Sequence, residues 1–461
     1  MQKERELFEK APVVKALATL AVPTIISQLI TMIYNLADTF FIGTTNDDSK
    51  IAAASVSFVL VFAMACLSNL FGVGGGSLIS RLLGEKRDSD AARVSSFSFY
   101  GSLLSGAVYA VLVLVFMEPI LRLIGATDSS IGFARDYVLW VVVIGAIPTT
   151  VSVTMSHLLR SVGYAKQASI GLGMGGVLNI LLDPLFMFVV LEPGREVTGA
   201  AIATMISNVC VLIYFLVIFF IIRHKTVLSI SPTKVLPSKA HIGAVFAVGF
   251  PSAIGSLFAC LSNTVINKLA SGYTDAAVAA IGVAKKIDML PMNVGMGLCQ
   301  GMMPLVAYNY AAGNYKRMKA FSDAARTAGI AFAGICLVGF EIFAEPLVRI
   351  FINTDTAVPL GIDFLRILCI AVPLMILNFQ MNFTFQAMGM GKESLILSSM
   401  RQGIVNIPLL FVMNHFFGLY GIVWTQLISD AITSSISIIL YRRSYLRLTK
   451  QVTAKVTEND G

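Results

Sequence analysis

The chain has 461 residues, of which 56% are hydrophobic and 13% charged, with a mean hydropathy of +0.79. Soluble globular domains carry about 25% charged residues, so this composition excludes an ordinary soluble protein. The net charge of +8 follows from the sidedness of lysine and arginine described below; its natural partner is anionic lipid, and it requires no nucleic acid.

Apolar runs of about 20 residues, the length that spans a bilayer as a helix, predict twelve spans. In chain order they cover 14–42, 51–77, 94–117, 134–156, 167–191, 198–222, 242–270, 276–305, 324–343, 357–387, 393–415 and 419–441. Such long runs are helical, because barrel strands would show short alternating segments. The N-terminal "MQKERELFEKAPVVKALATLAVP" runs from charged residues directly into a full-length span, so no removable signal peptide is expected. With both termini inside, 25 lysines and arginines fall on the inner side, in the terminal segments and alternate loops that include Arg81, Arg160, Lys316, Arg317 and Arg401. Only Lys50, Arg122, Arg195, Lys268 and Arg349 fall outside. This asymmetry predicts cytoplasmic termini and an even number of spans. The six cysteines all lie within spans at unrelated spacings, which reads as packing and neither disulfide nor metal chemistry.

The two halves of the chain repeat one another. "EPILRLIGATD" (118–128) returns as "EPLVRIFINTD" (345–355), and "LAVPTIISQLITMIYNLAD" (20–38) aligns with "VGFPSAIGSLFACLSNTVI" (248–266), pairing Pro23 with Pro251 and Asn35 with Asn263. "GAAIATMISN" (199–208) pairs with "GIVWTQLISD" (421–430). Six spans per half is an even number, so both halves enter the membrane from the same side and form two pseudo-symmetric six-helix bundles. The expected organisation is an N-terminal lobe, 1–222; a cytoplasmic linker, 223–241; a C-terminal lobe, 242–441; and a cytoplasmic tail, 442–461. Two bundles that can rock about a central cleft describe a transporter.

Polar side chains inside spans are expensive and mark function. Asp38 sits near the outer end of the first span, one turn beyond Asn35. In "NILLDPLFMF", Asn179 and Asp183 are four residues apart and share a helical face. Thr204 lies in the first turns of the next span, so depth places all of these in one layer. Two carboxylates with amide and hydroxyl oxygens suit a small cation site or a shared proton, and the same oxygens would serve H+ or Na+. Plain hydrogen bonding between helices is the alternative. Pro23 and Pro184 each remove a helical hydrogen bond, which makes them candidate hinges. The C-terminal half has Ile266 and Leu410 where the first has Asp38 and Asp183. Its membrane charges are Lys285, Lys286 and Asp288; Lys285 and Asp288, spaced i,i+3, either neutralise each other or act on substrate or gating. Met292 belongs to a methionine-rich C-terminal set that reads either as core or as a pliable substrate surface. The glycines of "GVGGGSLISRLLGEKR" (72–87) have no strand–loop–helix context, so they point to close helix approach and not to phosphate.

Several stretches carry a resemblance to a known family: "AVPTIISQLITMIYNLADTFFIG", "GGGSLISRLLGEKRDSDAARV", "NILLDPLFMF", "GAAIATMIS" and "GMMPLVAYNYAAGNYKR". Across essentially the whole chain they resemble the multidrug and toxic compound extrusion (MATE) transporters, nearest to their MepA-like bacterial branch. The resemblance implies twelve helices in two lobes and antiport of cationic drugs against protons or sodium. It also implies that Asp38, Asn179 and Asp183, with Thr204 beside them and Asn35 in support, form an N-lobe cation site. Acids that some branches carry in the seventh and tenth helices are missing here, apart from Asp363 near the outer edge.

The combined expectation is a multidrug efflux antiporter without enzymatic activity or cofactor, exporting amphipathic cationic drug-like compounds as a monomer in exchange for H+ or Na+. A lipid-linked saccharide flippase of related architecture is the alternative; it would need a strongly cationic cleft, for which Lys285, Lys286 and Arg366 are the candidates.

Overall fold

The computed structural model describes residues 2–45, 47–352 and 354–459. The side chains of 2–5, 48 and 449–459 fall outside that description, and with them Lys3, Arg5, Lys450 and Lys455 of the charge asymmetry and much of the 442–461 tail. The described chain is helical throughout. Its helices are α1 (Gln2–Glu9), α2 (Val13–Gly43), α3 (Asp48–Gly84), α4 (Asp88–Val115), α5 (Met117–Leu123), α6 (Ile131–Val138), α7 (Ala146–Ser161), α8 (Ala165–Leu185) and α9 (Glu196–Ile222). The second half supplies α10 (Lys239–Ala270), α11 (Asp275–Ala311), α12 (Tyr315–Arg349), α13 (Ala357–Met388), α14 (Gly391–Ser399) and α15 (Asn406–Asn459).

Helix starts are fixed by side-chain caps where the sequence offers them. Asp47 Oδ1 accepts from the Ser49 N–H at the head of α3, Thr274 Oγ1 from Ala277 N–H at α11, and Asn314 Oδ1 from Arg317 N–H at α12. Three π-helical stretches interrupt the pattern, at Leu139–Ile144, Phe186–Val190 and Met400–Ile404.

Among the described residues, nine helices are long and apolar enough to cross a membrane, or ten when Ile131–Ile144 and Ala146–Ser161, bent by 49°, count as one span. The protein is therefore an all-α polytopic membrane protein. Two sequence-level spans, 393–415 and 419–441, run together as one helical stretch broken at Gly418, whose φ of +58° and ψ of −141° no helix adopts. The predicted eighth span is α11, 37 residues long; Pro291, Asn293, Gln300 and Pro304 lower its hydropathy beside Lys285, Lys286 and Asp288.

Within the first half α2 packs on α8, α8 on α9, and α3 on both α4 and α7; within the second, α13 packs on α11, α12 and α15. Across the halves α3 meets α10, and α2 meets α11. The glycines of these helices permit that approach. A Cβ on Gly249 would lie 1.9 Å from the Leu70 carbonyl oxygen, one on Gly74 2.3 Å from that of Val245, and one on Gly301 2.4 Å from Ala21 Cα. Ser77 Oγ also donates to the Gln386 carbonyl at 2.6 Å. These contacts sit in the half of the molecule nearest α1, whose Phe8 is buried against Tyr308. The segment after α9 is pinned as well: the Ser95 and Ser96 hydroxyls donate to the Ser229 carbonyl at 2.9 and 3.0 Å.

Candidate functional site

α2 and α8 run away from the α1 side, so their polar residues come together in the opposite half of the molecule. Asn179 and Asp183 face the same way, one turn apart on α8, and are 3% and 0% exposed. The Asn179 Nδ2 donates to Asp183 Oδ1 at 3.1 Å and to Thr204 Oγ1 of α9 at 3.1 Å. Asp38 of α2 is near enough to Asp183 for the two carboxylates to act on each other electrostatically. One oxygen of each remains buried without a hydrogen-bond partner: Asp38 Oδ1, Asn179 Oδ1 and Asp183 Oδ2. Partnerless buried acceptors are costly, and oxygens of this kind are ones that a proton or a small hard cation would satisfy.

Two aromatic residues complete the surroundings, and sequence reasoning missed both. Tyr34 of α2 and Tyr137 of α6 interact electrostatically with Asp38 and Asp183. Tyr34 was legible in principle, one turn before Asp38, whereas Tyr137 lies far away in the chain. Asn35 Nδ2 donates to Thr31 O of its own helix at 2.9 Å, and its side chain also hydrogen-bonds Tyr34. No group of three or more His, Cys, Asp or Glu side chains that could hold a metal exists among the described residues.

Pro23 lies inside α2, which stays helical around it; Ala21 and Ile25 on either side press against Gly301 and Gly297 of α11. Pro184 has a visible consequence. It leaves the Ile180 carbonyl without its usual donor, and the π-helical Phe186–Val190 begins two residues later.

The second half departs from the sequence reading. Lys285 and Asp288 form no ion pair: Lys285 Nζ donates to Asn263 Oδ1 of α10 at 2.7 Å, while Asp288 Oδ1 is buried without a hydrogen-bond partner. Arg401, counted as an inner loop charge, lies buried in a π-helical turn and pairs with the fully buried Asp430 through Nε at 2.6 Å. Asn378 and Gln426 donate to the same carboxylate at 3.1 and 2.8 Å, and the guanidinium sits 4.5 Å from the Phe379 ring centre. Asp288 feels Asp430, Arg401 and Lys285 electrostatically, which gives a cluster of two cations and two anions. Met292 packs into the apolar cluster of Ala333, Val372, Met375 and Ile376, and Met302, Met303, Met375, Met381 and Met388 are buried as core.

The MatE family model matches the chain twice, over residues 23–185 and 251–412, starting on the two prolines that the internal repeat pairs. The chain belongs to the MatE family. The Multidrug export protein MepA of Staphylococcus saprophyticus subsp. saprophyticus is 34% identical over 425 residues, 92% of each chain. That of Staphylococcus aureus strain MRSA252 is 30% identical over the same share. Among solved structures, a MATE in complex with MaL6 superposes with a TM-score of 0.91 at 23% identity, covering 98% of this chain and 100% of that one. An outward-facing multidrug resistance MATE family transporter of the MOP superfamily gives 0.89 at 24% identity, covering 97% and 98%. At those identities the structures establish the fold. As a MatE protein the chain is a secondary transporter resident in the membrane, not an enzyme, and it moves small molecules by ion-coupled exchange.

Proposed function

We propose that this transporter exports amphipathic, cationic drug-like compounds in exchange for H+ or Na+ bound among Asp38, Asn179, Asp183 and Thr204. The observation that carries the reading is the set of partnerless oxygens on Asp38, Asn179 and Asp183, gathered where α2, α8 and α9 meet. The name of the staphylococcal relatives supports the drug substrate. The neutral composition of the Lys285–Asp288–Arg401–Asp430 cluster speaks against the cationic cleft that a saccharide flippase would need.

The architecture we propose has twelve spans in two six-helix lobes, 1–222 and 242–441, joined by the 223–241 linker and followed by the 442–461 tail. Counting the bent α6–α7 pair as one span, adding α11 and dividing α14–α15 at Gly418 supports that number. Both termini then face the cytoplasm, and the α1 side is the cytoplasmic side. The protein works as a monomer in the bacterial cytoplasmic membrane, with anionic lipid against its basic inner loops. Pro23 and Pro184 are the hinges through which loading of the acids bends α2 or α8, and Lys285 and Asp288 line the drug path. An amine and an amide bonded on an exposed face between α10 and α11 favour a water-filled cleft over lipid.

The test is dye efflux from proteoliposomes with proton and sodium gradients imposed separately. Efflux driven by one gradient, and lost in Asp38→Asn and Asp183→Asn proteins that insert and fold normally, is the expected result. Full-rate efflux by both variants would sink the proposed site.

A further inference from the structure

A second buried charge, remote from the acids of the first half, lies at the seam near α1. Arg160, at the end of α7, is only 4% exposed. Its Nη1 reaches Ser156 Oγ at 3.3 Å, while Nε and Nη2 are buried with no hydrogen-bond partner. Among the described residues no carboxylate is within ion-pair distance of it. A bare guanidinium out of water is strongly unfavourable, so this environment selects a compensating negative charge.

Space for that charge exists beside it. A cavity of about 20 Å3 is lined by Gly72, Gly76 and Ser80 of α3, His157 and Arg160 of α7, and Gln300 of α11. The glycine run lets α3 close on α7 beside it: a Cβ on Gly72 would stand 2.8 Å from His157 Cδ2, and one on Gly76 3.3 Å from the His157 carbonyl oxygen. A cavity needs roughly 10–15 Å3 on this measure to hold one water-sized occupant. The space therefore has room for a monatomic ion. Its walls come from both halves of the chain, α3 and α7 from the first and α11 from the second.

We propose that this cavity is a halide site, occupied by chloride, which accepts from the free Nε–H and Nη2–H of Arg160 and from the Gln300 amide and so ties the two halves together on the α1 side. It stands independently of the cation site and of the identity of the exported compound.

The experiment is thermal unfolding of the purified full chain with chloride exchanged for gluconate at constant ionic strength. A ligand that binds only the folded state raises the midpoint saturably, here by roughly 2–5 °C at saturation. Chloride and bromide should produce the rise, and sulfate and gluconate should not. Arg160→Met should abolish the halide response without lowering the midpoint in gluconate, because it removes the uncompensated charge and keeps the volume. A halide response that persists in Arg160→Met, or a wild type indifferent to halide, overturns the proposal. If Arg160→Met does not fold, crystals of the wild type grown in bromide decide: an anomalous peak in contact with the Arg160 guanidinium supports the site, and water alone there refutes it.

Discussion

Asn179 holds the pocket of the first half together through one nitrogen that serves two acceptors, Asp183 Oδ1 and Thr204 Oγ1. Asn179→Leu leaves both without that donor, and losing a buried partner costs about 1–3 kcal/mol. The expected outcome is a lower thermal midpoint together with reduced gradient-driven efflux. Asn35→Leu, whose amide bonds only to its own helix, should leave the midpoint nearly unchanged; an equal fall in both would mean that the amide bridge is not special. The Arg401–Asp430 pair is tested by a cycle. Removing one partner of a buried ion pair costs about 3–5 kcal/mol, whereas replacing both with apolar groups is close to neutral. Arg401→Met and Asp430→Leu should each destabilise more than the double variant does, as read from thermal unfolding. The two clusters differ in how far the sequence exposed them. Asn179 and Asp183 share a helix and a face, so spacing alone joined them. Arg401 and Asp430 are 29 residues apart, and Arg401, although inside the 393–415 run, reads by charge sidedness as one more inner cation. Hydropathy has no means of bringing such partners together.

The helices meet where glycine replaces a side chain, and the consequence is specific to position. A Cβ at Gly301 of α11 would fall 2.4 Å from Ala21 Cα and 2.6 Å from its nitrogen, both backbone atoms that cannot swing aside. A Cβ at Gly282 of the same helix meets nothing within 4 Å. Gly301→Ala should therefore cost about 1–3 kcal/mol by overpacking, while Gly282→Ala should be neutral or stabilising by up to ~1 kcal/mol through helix propensity. Thermal midpoints of the two variants in detergent make the comparison; indifference at Gly301 would show that the α2–α11 seam is loose. Span positions were readable because a run of apolar residues is a local property. The bend was not: the 49° turn between Ile144 and Ala146 arises inside the continuous apolar run 134–156, whereas the irregular Gly418 falls in the gap between the predicted spans 393–415 and 419–441. The π-helical turn after Pro184 is a middle case, since the proline announces a lost hydrogen bond without saying how the helix recovers.

With the halves in contact near α1 and the acids grouped in the opposite half, the arrangement fits one end of the alternating-access cycle that the proposed two-lobe architecture implies. Ser77 marks the seal: it is 1% exposed and bonds across the seam to the Gln386 carbonyl. Lys285, half-buried on α11, marks the opposite half. Ser77→Cys changes the side chain little, so in a background with the six native cysteines replaced it serves as a reporter of opening. A membrane-impermeant thiol reagent should leave the Ser77→Cys protein unlabelled in resting vesicles and label it from the α1 side during turnover, when the halves part there. Lys285→Cys should show the reverse, reacting at rest from the opposite side and becoming protected as that side closes. The internal repeat leads us to expect two units able to move against each other; which of their faces touch at rest depends on the α3–α10 and α2–α11 contacts, and the repeat is silent on those. A Ser77→Cys thiol that reacts equally at rest and during turnover would mean that the seam stays open to water, and the rocking of two lobes would have to be abandoned as the mechanism.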